Sequence, residues 1–91
     1  LRYGELNRAF HLTLYSVIPY RGLYELIIQL WNRVPHTRSV FVLVPEYVRR
    51  SQEGHWKILD ALRRRDGQKA ARYVRQQKLE AMAALLRERM W

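Results

Sequence analysis

The sequence contains no cysteine. That excludes disulfides and thiolate metal sites and fits a reducing compartment, so a cytoplasmic location is expected. Acidic residues are also scarce, with 8 against 17 lysines and arginines. The few carboxylates are dispersed, and no pair stands at a spacing suited to acid–base catalysis. Ser16, Ser39 and Ser51 lie in no nucleophile motif, and no glycine-rich loop is present to cradle a phosphate. The chain by itself is therefore not expected to be an enzyme. Long apolar runs are missing as well. The longest, residues 40–45, falls far short of the roughly 20 residues a membrane helix needs. No signal-peptide pattern is visible, and no membrane partner is expected.

What is present is one globular domain's worth of chain. The 91 residues, 48% of them hydrophobic, suffice for one modest core, and a domain of this size buries roughly 60–65% of its unfolded surface. The net charge of +9 is the footprint of a nucleic-acid binder, and a basic helical module that binds nucleic acid directly is the alternative reading. The charge is spread along the chain, however, with only short clusters at Arg49-Arg50 and Arg63-Arg64-Arg65. Solvated helix faces account for such a distribution.

The hydrophobic pattern is helical throughout. Leu6, Phe10, Leu14 and Val17 make one face of a first helix spanning about residues 4–18, and Pro19 and Gly22 punctuate the chain after it. A second helix begins near Arg21 and carries two apolar stripes, Leu23, Ile27, Leu30 and Val34 beside Tyr24, Ile28 and Trp31. Pro35 interrupts it. Residues 40–44 have a strand's composition but no partner strand, so they are assigned to helix. Pro45-Glu46 reads as the start of a third helix, which carries Val48, His55, Ile58, Leu59 and Leu62 to about Arg65. Gly54 is an unfavourable residue in its middle. Asp66 is a natural N-cap for a fourth helix, whose stripe is Ala70, Val74, Ala81, Ala84 and Leu85. Short connections predict an all-α, antiparallel four-helix bundle.

Polar residues interrupt the inward faces. Asn7 and His11 share one face of the first helix, at the edge of its buried arc. His55 lies in line with Ile58, Leu59 and Leu62, and Gln77 lies between Val74 and Ala81. A buried polar group without a partner costs roughly 1–3 kcal/mol. Three helices each placing such groups inside implies that the groups meet. They can meet as ligands of a metal, as facing helices of bundles often arrange, or as a hydrogen-bonded polar cluster; the alternative is two unrelated, half-buried histidines. His36 follows Pro35 without a periodic neighbour and reads as a loop or surface histidine.

These residues resemble a known family. Asn7-Arg8-Ala9-Phe10-His11 is similar to the Asp/Asn-x-x-Phe-His motif of the FCD domain, the effector domain of FadR-subfamily GntR transcription regulators. The segments 23–26 and 30–33 are similar to a long helix of that family. His55-Trp56-Lys57-Ile58-Leu59-Asp60-Ala61-Leu62 resembles its Glu-His-x-x-Ile-x-x-Ala-Leu core, and Asp66, Ala70-Ala71 and Val74 fall on its later positions.

The resemblance covers nearly all of residues 1–91. It implies a helical bundle that binds a small organic acid, often through a divalent metal such as zinc, nickel or manganese. It also implies a homodimer whose winged helix-turn-helix domains hold DNA. Those domains, and the helices that precede the first motif in the family, are not in this sequence, which is expected to be a truncated FCD-like domain. Carried over by position, the metal or ligand site is Asn7, His11, His55 and Gln77. Metal-binding members have His where Gln77 stands, and Gly54 occupies the place of the Glu before the second His. Zinc and nickel favour imidazole over a neutral amide, so Gln77 is expected to weaken metal binding.

Overall fold

A computed structural model describes residues 2–33 and 45–88 of the chain. Among these residues the architecture is four helices and no strand, as the periodicity predicts. They are α1 (Arg2–Tyr15), α2 (Arg21–Arg33), α3 (Pro45–Arg63) and α4 (Gly67–Glu88). Residues 40–44, assigned to helix from sequence, lie outside the described residues, as do Val34, Pro35 and His36. No described helix is long and apolar enough to cross a membrane.

The helix ends follow from local chemistry. Pro45 opens α3, where its missing N–H costs nothing. The α3–α4 turn satisfies both helices at once. Arg65 adopts the left-handed conformation, with φ 56°. The Arg65 amide donates to Leu62 O at 3.0 Å and the Asp66 amide to Ala61 O at 2.9 Å, the two bonds of a Schellman motif. Asp66 then caps α4 as expected, its Oδ1 accepting from the Lys69 amide at 3.0 Å.

With so short a turn, α3 and α4 run antiparallel, and their contacts confirm it. Gly54 lies against Gln77, and further toward the turn the Lys57 ammonium lies over the Tyr73 ring. Ile58 and Ala61 on α3, with Ala70 and Ala84 on α4, are the buried apolar residues among those described. Three of the four are alanines, and small side chains let two backbones approach closely.

The sequence pattern misjudges some faces. Leu6 and Val17, assigned inward, are 55% and 79% exposed, because the helical turn ends at Tyr15 and carries Val17 out of the α1 stripe. Leu62 is also largely exposed. His11, placed at the edge of the arc, is instead 2% exposed and, with Ile58, among the largest fully buried side chains. On α2 nothing is buried, and Leu23, Leu26 and Leu30 face outward.

Candidate functional site

Two ladders of polar residues face each other. On α1, Tyr3, Asn7 and His11 follow at intervals of four, which stacks them along one face. On α3, Ser51 and His55 do the same. The Tyr3 hydroxyl lies 3.2 Å from both Ser51 Oγ and His55 Nδ1. Asn7 Oδ1 lies 2.8 Å from His55 Nε2. An amide oxygen only accepts, so the ring proton sits on Nε2 and leaves Nδ1 to accept from the Tyr3 hydroxyl.

Aromatic side chains wall this cluster. The His55 ring lies 4.3 Å from that of Phe10 and 5.2 Å from that of His11, centroid to centroid. His11 in turn touches Tyr15 and, on α2, Trp31. Arg8 donates to Asn32 Oδ1 at 2.9 Å, which ties α1 to α2 on the outer side.

From α4 comes Gln77. Its Nε2 donates to the backbone oxygen of Ser51 at 2.8 Å. A carbonyl cannot donate, so this bond fixes which end of the amide faces α3. Gly54 makes that path available. A Cβ there would meet Gln77 Nε2 and stand 2.9 Å from its Cδ and 3.0 Å from its Cγ.

Two buried polar atoms are left without a hydrogen-bond partner among the described residues, His11 Nδ1 and Gln77 Oε1. Gln77 stands near enough to favour the charged form of His11, but the contact falls short of hydrogen-bond geometry. Burial outweighs it, helped by Lys78 and His55, and pushes the His11 pKa down to about 3. Burial also lowers the pKa of His55, as does Lys78. Both rings are neutral at pH 7.

Sequence reasoning missed Lys78. Its ammonium lies 4.2 Å from the centre of the Trp31 ring, a contact worth about 0.5–1 kcal/mol at exposed positions. Crowding lowers the Lys78 pKa, while the side chain as a whole stays open to solvent, so it remains a cation at neutral pH. A cavity of about 50 Å³ lies between α1, α3 and α4, lined by Asn7, His11, Ser51, Gln77, Arg50 and Lys78 among others. Arg50 was also missed. Its neighbour Arg49 is committed to Glu46 and Glu53, whereas Arg50 makes no ion pair among the described residues. One carboxylate, Glu80, lines the same cavity, so the walls carry a net positive charge.

The structure therefore brings the four residues read from the sequence near one another: Asn7 is hydrogen-bonded to His55, the His11 ring packs against that of His55, and Gln77 reaches across to Ser51 O. Asn7, His11 and Gln77 line the small cavity. As donors the four side chains offer two imidazoles and two neutral amides. Asn7 Oδ1 and His55 Nε2 are engaged with each other, and Gln77 offers a neutral oxygen. Among the described residues, no three His, Asp or Glu side chains gather where they could hold a metal.

The chain matches the FCD domain family over residues 1–77, a stretch that ends on Gln77 itself. It belongs to that family. No curated protein and no solved structure matches it. An FCD domain is the regulatory, effector-binding domain of GntR-family transcription regulators, which are not enzymes.

Proposed function

We propose that this FCD domain senses a small organic acid in the cavity between α1, α3 and α4, and that occupancy of the cavity is relayed to DNA by a winged helix-turn-helix domain lying outside these 91 residues. The supporting observation is the lining. Arg50 and Lys78 supply positive charge, and His11, Asn7 and Gln77 supply neutral hydrogen-bonding groups, all around a space sized for a few heavy atoms. A carboxylate matches such walls, since cations and directed donors hold anions most strongly when partly desolvated.

The protein would act as a homodimer in the cytoplasm. The outward leucines of α2 support association, because apolar stripes on a helix are usually covered. Any metal would be held weakly by His11 and His55, with Gln77 as a poor third donor.

Calorimetric titration with short mono- and dicarboxylates tests the reading. We expect binding to the parent chain and at least several-fold weaker binding to Arg50→Gln and Lys78→Gln. If no acid binds, or if the two variants bind as the parent does, the cavity is not an acid site. Sequence-specific DNA binding by these 91 residues alone would favour the direct nucleic-acid reading, which the net charge of +9 keeps in play.

A further inference from the structure

The hairpin of α3 and α4 concentrates positive charge at its turn. Residues 57–75 hold seven lysines and arginines against two aspartates, and so carry five of the chain's nine net positive charges. Both aspartates are engaged. Asp60 pairs with Arg64 at 3.2 Å, and Asp66 caps α4 through the Lys69 amide. Lys57 lies over the Tyr73 ring. The other five cations, Arg63, Arg65, Lys69, Arg72 and Arg75, are exposed and make no ion pair among the described residues. Their placement follows from the fold. Arg63 ends α3 and Arg65 forms the turn. Lys69, Arg72 and Arg75 stand three apart on α4, which strings them over about 9 Å of its outer side, away from the buried Ala70.

The patch has no apolar anchor of its own. Between residues 63 and 75 no large apolar side chain is exposed, while Trp56 and Leu62 lie before it on α3 and Leu79 after it on α4. A membrane-binding face sets leucines or aromatics among its cations, and a protein partner needs an apolar centre to bury. A phosphodiester backbone needs neither, since it offers charge and acceptor oxygens alone. Four of the five cations are arginines, whose planar guanidinium matches two phosphate oxygens at once. Duplex DNA carries a negative charge about every 1.7 Å of axis, so the α4 strip can face several phosphates.

We propose that this end of the domain rests on the phosphate backbone of duplex DNA, with these five cations as the contacting side chains. The contact is independent of sequence, because cations on phosphates read charge and not bases. It is separate from the acid-sensing cavity. A domain that works in transcription regulators operates beside DNA, where weak contacts gain from a high local concentration.

The test is fluorescence anisotropy with two short labelled duplexes of unrelated sequence, titrated with the 91-residue chain from about 50 to about 200 mM salt. About four phosphate contacts give a slope of roughly −3.6 in log K against log salt, so both duplexes are expected to bind alike and roughly a hundredfold more weakly at the higher salt. In the triple variant Lys69→Gln, Arg72→Gln, Arg75→Gln the slope is expected to shrink by roughly 2.7. The control Arg21→Gln, Arg33→Gln, Arg87→Gln loses the same charge elsewhere and is expected to keep the parent's slope, with circular dichroism checking the helices of both. Equal losses in the two variants trace the binding to net charge alone and overturn the patch. A preference of about tenfold or more for one duplex means base readout and overturns it too. Polyglutamate and phosphatidylserine vesicles serve as rival polyanions. Tighter binding to either than to DNA of equal charge concentration reassigns the patch to an acidic protein or a membrane. No binding of DNA at the lower salt removes the proposal and leaves the acid-sensing reading untouched.

Discussion

The Gln77 side chain occupies the space that a Cβ at residue 54 would need. Gly54 on α3 and Gln77 on α4 are thus a matched pair, and the hydrogen bond from Gln77 Nε2 to Ser51 O at 2.8 Å depends on the match. A glycine at mid-helix is usually a defect of about 1 kcal/mol relative to alanine. Here it is the condition for a buried inter-helix bond.

Gly54→Ala is therefore expected not to give the usual helix-propensity gain. The new methyl displaces Gln77, and losing its bond costs about 1 kcal/mol, which cancels or reverses the gain. In a Gln77→Ala background the conflict is gone, and the same substitution is expected to stabilise by up to about 1 kcal/mol. Urea denaturation of the four proteins in this cycle checks the pair. Additive effects would show that the two residues are independent.

Stability is expected to fall on acidification from neutral pH. Folding holds the His11 pKa near 3, below its ordinary 6.5, and lowers that of His55 too. Lys78 presses on both rings, and Tyr15 packs against His11 without charge. The unfolded chain thus binds more protons than the folded one once the pH drops below about 6.5, and the stabilisation present above that pH is lost progressively toward pH 3. Between pH 7 and pH 5 the loss is expected to be about 2 kcal/mol from His11 alone. Denaturant titrations at several pH values, with His11→Gln expected to flatten the slope, check this. A parent protein equally stable at pH 7 and pH 5 would rule it out.

The α3–α4 turn gives two substitutions of opposite sign. Arg65 holds φ 56°, a conformation that costs a residue with a side chain about 1 kcal/mol and a glycine little. Arg65→Gly is expected to stabilise the protein by about 0.5 kcal/mol, after the greater freedom of glycine in the unfolded chain is subtracted. Asp66→Ala removes the acceptor of the Lys69 amide and is expected to destabilise by about 1 kcal/mol. Thermal melts of both variants suffice, and melting points that move in the same direction would refute the turn's role.

Much of the fold is legible in the sequence because its causes are local. The period of apolar residues, Pro45 at a helix start and Asp66 at a cap act within a few residues of themselves. Asn7, His11, His55 and Gln77 could be singled out for a similar reason, since each breaks an apolar stripe that any helix would bury. The sequence could not rank them. His11 reads as a marginal position and is among the most buried side chains, because the walls that close over it, Trp31 and Phe10, lie on a neighbouring helix and on its own. Tyr3 and Ser51 carried a signal, their spacing of four from Asn7 and His55, whereas Arg50 and Lys78 look like any other solvated cation. Which atoms pair was decided by packing alone. Gly54 appears in the sequence only as a weak spot in a helix, and it becomes a site determinant when α4 is laid antiparallel across α3. Local preferences are properties of one segment, but hydrogen bonds and cavities belong to two or three segments at once, and their partners exist only after the helices have packed.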